Sequence, residues 1–261
     1  MSQIVPKIGD GGGRVDTGDA SGVVRDGVHS QAEGFTSHEI WDFEATTDEQ
    51  YPLLLNFPYF NLYRKQVVKQ ADLVLAMHLR GAAFTAAEKA RNFAYYEALT
   101  VRDSSLSACT QAVLAAETGH LDLAYDYLTE AALMDLNDRE HNTRDGLHVA
   151  SLAGTWIALV SGFAGLRESD GSVAFCPRLP AGITRLAFTI CVQNSRLNVE
   201  ITPTTTTYRV LDGQPLPLLH DGQPLVVSAG SPISSPTLSA LTRAAPTQPR
   251  GRAPQPHRAA S

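Results

Sequence analysis

The chain of 261 residues is 43% hydrophobic and 18% charged, with a formal net charge of −6. That is the composition of a globular protein large enough for a sizeable core, and the acidic balance argues against a general nucleic-acid binder. Three cysteines, Cys109, Cys176 and Cys191, are too few for a disulfide framework, and no CxxC pair accompanies His141 and His148 to suggest a metal site. No apolar run reaches the length needed to cross a bilayer and no secretory h-region opens the chain, so a cytoplasmic protein without membrane or nucleic-acid partners is expected.

Residues 1–32 are rich in Gly and Asp, and "GDGGGR" at 9–14 lacks the spacing of a phosphate loop. This stretch reads as a disordered or non-homologous segment. From Tyr51 to about Leu166 the pattern is helical. Leu62, Val67, Ala71, Val74 and His78 form an approximate stripe, which puts Lys69 and Gln70 on a helix. "TAAE" at 85–88 is a capping box, opening a helix that runs to about Tyr96. A further helix opens on Asp103-Ser104-Ser105 and stops near Gly119. The next carries Leu121, Tyr125, Leu128, Ala132 and Leu136 on one face, making an αα-hairpin through Gly119-His120. The last, "GLHVASLAGTWIALVSGFAGL", is so apolar that burial on most sides is expected.

Beyond Gly165 the period becomes two. Leu186, Phe188 and Ile190 alternate before an Asn-Ser turn, followed by Leu197, Val199 and Ile201. Residues 168–228 therefore read as a small antiparallel β domain. Residues 229–261 hold six prolines, four arginines and no acid, so a disordered tail is expected.

Three features could carry chemistry. Asp103-Ser104-Ser105 offers more hydroxyls than capping one helix needs, and a helix start attracts anions. "RDGLHVASLAGTW" sets His148 and Ser151 on one face, among small residues that include Gly154. Lys69-Gln70 would supply a cation and an amide. Each has a plainer reading: a well-capped helix, a core histidine, a lysine snorkelling to solvent. Trp41-Asp42-Phe43-Glu44 reads as a solvated acidic loop packed by its aromatics. The residues alone support a helical domain with a candidate anion site.

Four blocks in order, "LYRKQVVKQADLVLAM", "YYEALTVRDSSLS", "NTRDGLHVASLAGTW" and "GFAGLRESDGSVAFCPRLP", resemble the C-terminal part of glycoside hydrolase family 65. The likeness runs from about Glu33 to Leu225. It implies a mainly α fold, with the C-terminal part of an (α/α)6 barrel over 33–167 and a small antiparallel β-sandwich over 168–228. It further implies phosphorolysis or hydrolysis of a glucose-containing disaccharide, with inorganic phosphate as co-substrate and no other cofactor. The sugar-binding pair would be Lys69 and Gln70. The phosphate pocket would be Ser104, Ser105 and His148, with Ser151 and Gly154 beside them. Relatives often carry His where Arg102 stands.

The family's general acid is a glutamate in an upstream "DEYHE"-like motif. Glu33, Glu39, Glu44 and Glu49 lack that context, so no catalytic residue is assigned within this chain. A C-terminal portion, inactive alone, is the expectation. The alternatives are a non-catalytic sugar- or phosphosugar-binding fragment, or the interaction half of a split enzyme completed by an N-terminal chain or a homo-oligomer.

Overall fold

The computed structural model describes residues 24–25, 27–138, 143–169, 171–241 and 243–256. A two-stranded ribbon, β1 (Val24–Arg25) and β2 (Val28–His29), leads into β3 (Glu39–Ile40). Val28 is buried, and the His29 amide donates to the Asn92 side chain of a later helix at 2.8 Å. The expected disordered segment 1–32 thus needs correction at its end, because residues 27–32 find a surface to pack on. Its first 23 residues lie outside the described ones.

Two helices of four residues each follow, α1 (Leu53–Asn56) and α2 (Tyr59–Leu62). The continuous stripe read through Lys69 and Gln70 is not one helix. β4 (Lys65–Gln66) pairs in parallel with β3, and Val68 bridges Thr100. The reason lies in long-range backbone partners: the Val68 amide donates to the Leu99 carbonyl at 2.9 Å, and the Val101 amide to the Val68 carbonyl at 2.8 Å. Adjacent β-branched Val67 and Val68 favour that choice. Helix resumes only at α3 (Asp72–Leu79), opened by an acid in its first turn.

α4 (Ala86–Glu97) starts on the Thr85/Glu88 capping box. α5 (Ser107–Thr118) ends at Gly119, whose φ of +95° is the left-handed C-terminal turn that glycine adopts without strain. α6 (Leu121–Ala132) completes the hairpin, but it stops short of Leu136, which stands 81% exposed. α7 (Val149–Ile157) continues as a π-helical turn over Ala158–Phe163. α5 packs against α3, α4, α6 and α7 and is the centre of the helical region. The expectation that the last helix is buried on most sides also needs correction. Leu147, Val149, Leu152, Trp156 and Ile157 are exposed, so one apolar face of α7 is open.

β5 (Arg167–Ser169) and β6 (Ser172–Phe175) join β10 (Leu216–His220) and β11 (Gln223–Val227) in one four-stranded sheet, order β11-β10-β6-β5. β7 (Leu186–Val192), β8 (Ser195–Ile201), β9 (Thr205–Asp212) and β12 (Ile233–Pro236) form the other, order β12-β9-β8-β7. Pairing within both is antiparallel except β10 on β6. Tyr208 of β9 lies 5.2 Å from Phe175 of β6, so the sheets face each other across a shared interior. One buried cluster runs from the helices into this sandwich.

The disordered tail is contradicted over its described part. β12 pairs with β9, the Leu238 amide donates to Pro177, and the Arg243 amide donates to Gly119. Pro249 and Pro254 are buried. A segment too polar to build a core of its own is ordered here by hydrogen bonding to surfaces already folded. Residues 257–261 fall outside the described ones.

Candidate functional site

The extended link after β4 carries Lys69 and Gln70 to the turn before α5. Ser104 Oγ donates to Gln70 Oε1 at 3.0 Å, and Ser107 Oγ donates to the Lys69 carbonyl at 3.2 Å. Two blocks more than thirty residues apart in sequence are thereby held together. Ser105 is half-buried in the same turn.

The turn does not cap the helix as expected. α5 begins at Ser107 with Leu106 as its cap residue and no side-chain cap, while Ser104 Oγ accepts from the Leu106 amide at 3.3 Å. Asp103 serves a different helix. Its Oδ2 accepts from the Leu53 amide at the start of α1, at 2.8 Å, and its Oδ1 pairs with Arg252 at 2.6 Å. The sequence reading missed this cap supplied from fifty residues away, because capping rules look only at neighbours.

Lys69 and Asp103 face a cavity of about 270 Å³ walled by Leu53, Leu62, Val67 and Val101, with Tyr59 and Tyr63 at its side. The two tyrosine rings stack at 5.6 Å. The Asp103 side chain is only 2% exposed. Burial pushes its pKa up, against the Leu53 amide and the positive charges of Arg252, Lys69 and Arg102. An apolar cavity with a cation, a carboxylate and stacked aromatics suits a polyhydroxylated ligand.

His148 stands at the cap position of α7. Its Nδ1 meets Asp135 Oδ1 at 2.6 Å, and its amide donates to Asp135 Oδ2 at 3.0 Å. The carboxylate orients the ring and leaves Nε2 for another partner. Ser151 and Gly154 face elsewhere. Ser151 is fully buried, with Oγ donating to the Ala131 carbonyl of α6 at 3.2 Å. A Cβ at Gly154 would sit 2.5 Å from Cys109 Cβ of α5, so glycine is needed for that close approach. Gly162 in turn lies against Val113 and Ala116. The contacts advance along both helices in the same direction, so α5 and α7 run parallel and their positive N-terminal ends lie at one end of the bundle.

Beneath this end lies a buried polar network. Arg102, at φ +58°, pairs with both Glu130 oxygens at 2.6 Å. Glu97 accepts from Gln111 at 2.8 Å, from Gln248 at 2.6 Å and from the Tyr127 hydroxyl. Burial raises the pKa of Glu97 and drives that of Tyr127 well up. Protein groups surround Glu97, so it organises the interior. Gln248 and Arg252 carried no signal in the sequence beyond a composition that suggested disorder. Among the described residues, no cluster of three His, Cys, Asp or Glu is placed to hold a metal ion.

Comparison with known proteins gives this geometry a context. Residues 23–157 match the Glycosyl hydrolase family 65 central catalytic domain, and residues 166–227 match the family's C-terminal domain. The first match begins inside the segment expected to be non-homologous, which corrects that boundary. An uncharacterized glycosyl hydrolase of Mycobacterium tuberculosis is 51% identical over 94% of this chain and 32% of its own length. An α,α-trehalose phosphorylase of Thermoanaerobacter brockii is 38% identical over 77% of this chain and 26% of its own. A solved structure from the human microbiome, provisionally named a kojibiose phosphorylase, superposes with a TM-score of 0.74 at 25% identity, covering 80% of this chain and 29% of that one. The chain thus spans about a third or less of the relatives it matches. Both domain matches, in order and nearly adjoining, establish that the chain belongs to glycosyl hydrolase family 65.

Proposed function

We propose that this chain provides the sugar- and phosphate-binding end of a family 65 enzyme that cleaves a glucose-containing disaccharide by phosphorolysis. The observation that carries the reading is the hydrogen bond from Ser104 to Gln70, which seats the Lys69-Gln70 pair on the serine turn. Lys69 and Gln70 bind the sugar. Ser104, Ser105 and His148 bind phosphate at the end where α5 and α7 both begin. Ser151 and Gly154 serve the same site by setting the spacing of α7 against α6 and α5.

Phosphorolysis here resembles inverting glycoside cleavage. An acid protonates the leaving oxygen while phosphate attacks the opposite face of the sugar, turning an α-glucoside into β-glucose 1-phosphate. Phosphate is already anionic and needs no carboxylate to activate it. This chain's residues orient that nucleophile. The carboxylate lining the cavity, Asp103, is tied to Arg252 and the Leu53 amide, so the proton donor is assigned outside these residues. The helical region over 33–167 is assigned to the C-terminal part of an (α/α)6 barrel. The open apolar face of α7 is consistent with further helices supplied by a longer protein, a complementary chain or a second copy. No described helix is long and apolar enough to cross a membrane, and a cytoplasmic setting fits the substrate.

The test is titration of the full chain with phosphate and with glucose, alone and together. Binding of both, with the phosphate arm lost in Ser104→Ala/Ser105→Ala, is the expected result. Phosphate binding unchanged in that variant overturns the assignment.

A further inference from the structure

We infer that residues 237–241 and 243–256 form a strap whose Arg252 is a positioning residue for the Lys69–Asp103 cavity, so that sugar affinity depends on the far C-terminal segment. The role in sugar binding rests on the reading proposed above; the mechanical role does not. The strap lies beyond both family matches, which end at 157 and 227.

Its path is defined by contacts along its length. After β12 leaves the sandwich, the Leu238 amide donates to Pro177 at 3.1 Å and the Arg243 amide to Gly119 at 3.3 Å, at the α5–α6 turn. The Gln248 side-chain amide then donates to Glu97 at 2.6 Å and to the Tyr127 hydroxyl at 2.8 Å. Arg252 finishes the run beside the cavity. Its Nε donates to the Val101 carbonyl at 2.6 Å, its Nη2 pairs with Asp103 at 2.6 Å, and its guanidinium lies 4.4 Å from the Tyr51 ring centre. Arg102 Nε donates back to the Arg252 carbonyl, which fixes the strap in turn.

One side chain therefore joins the segment before α1 to the strand-like stretch before α5. Asp103, held by Arg252, is also the group that holds the first amide of α1. α1 and α2 have four residues each and cannot hold themselves as isolated helices. The cluster beneath them is small: Leu53, Leu62 and Val101 are its buried members among the described residues, half-buried side chains such as Trp41, Tyr51 and Phe57 surround them, and Phe43 packs against the main core as well. A wall with so little burial of its own takes its shape from what pins it, and the pins are Asp103 and Arg252. Arginine suits the position because its planar fork reaches a carbonyl and a carboxylate at once while stacking on an aromatic ring.

The experiment is hydrogen exchange on the full chain together with titration by glucose, comparing wild type with Arg252→Ala, Arg252→Lys and Arg250→Ala. Arg250 is an exposed strap neighbour facing Glu44 at 3.9 Å and serves as the control. Arg252→Ala is expected to speed exchange over residues 53–63 by about tenfold while α5 and α6 stay protected. Glucose affinity should fall by about tenfold as the wall loosens. Arg252→Lys keeps the charge without the fork and recovers part of both, whereas Arg250→Ala matches wild type. If Arg252→Ala does not fold, the lysine variant carries the test through the same localised exchange. Unchanged exchange over 53–63, or a rise spread evenly over all helices, overturns the strap's positioning role. Wild type that binds no glucose, with exchange over 53–63 still answering to Arg252, overturns the sugar reading alone.

Discussion

The two buried clusters among the described residues are held by different physics. The main one joins α3 to α7 with the sandwich, and its members, such as Phe93, Leu114, Tyr127, Phe163 and Leu197, are fully buried apolar or aromatic side chains. The smaller one, beneath α1 and α2, has three buried members and is secured at its edges by Asp103 and Arg252. Area scales with the number of buried groups, so the first draws most of its stability from packing. The second leans on one ion pair, and removing Arg252 leaves the buried Asp103 carboxylate without its counter-charge. The candidate ligand cavity sits on the second. Binding surfaces that must adjust to a ligand are drawn from such weakly packed parts of a fold.

The sharpest break of that contrast is at Arg102 and Glu130, the buried pair beneath the boundary between the clusters. Glu130→Ala is expected to cost about 3–5 kcal/mol in denaturant unfolding, because it strands the Arg102 guanidinium in the interior. In the main cluster, Leu114→Ala should cost about 2–5 kcal/mol as transfer and cavity terms add, without altering exchange over 53–63. Gly154→Ala should cost about 1–3 kcal/mol by forcing α7 away from Cys109, measurable as a lowered melting temperature. The smallest effect on stability is expected for Ser104→Ala/Ser105→Ala. The variant loses the exposed hydrogen bonds of Ser104 to Gln70 and the Leu106 amide, so stability should shift by about 0.5–1.5 kcal/mol while phosphate affinity falls.

Acid sharpens the comparison from the other side. His78 has its pKa lowered to about 4, chiefly by burial and then by Arg167, with Lys89 adding to it and Glu117 opposing. The unfolded chain takes up this proton near pH 6.5, the folded chain only near 4. Stability contributed by His78 is therefore complete above about pH 6.5 and declines as pH falls towards 4. His78→Asn should flatten the slope of stability against pH in that window. An unchanged slope would place the acid sensitivity elsewhere.

Much of the main cluster was legible because its signals are local. The capping box at Thr85 and Glu88, the glycine stop at Gly119 and the alternation in β7 and β8 each depend on a few neighbouring residues. The turn between β7 and β8 falls one residue earlier than an Asn-Ser turn would: Gln193 and Asn194, at φ +49° and +60°, make it, and Ser195 already belongs to β8. The cavity was far less legible. The family resemblance pointed to Lys69, Gln70 and the serine turn, yet the link carrying Lys69 and Gln70 passes for a helix by periodicity. Its strand-like conformation comes from backbone partners at Leu99 and Val101. Asp103 looked like a local cap, while its true partners are Leu53 and Arg252. Composition makes residues 229–261 look disordered, since such rules ask whether a segment can bury its own apolar surface, not whether another surface will receive it.

The return of the chain from the sandwich to the helices has a mechanical consequence. The helices and the sandwich are joined by the short stretch between Phe163 and Arg167 and, more firmly, by the buried cluster they share. The run from β12 to Arg252 adds a second attachment, anchored at Gly119, Glu97 and Asp103. The shared core resists tilting, and any movement of the sandwich that does occur is passed along this run to the wall of the cavity.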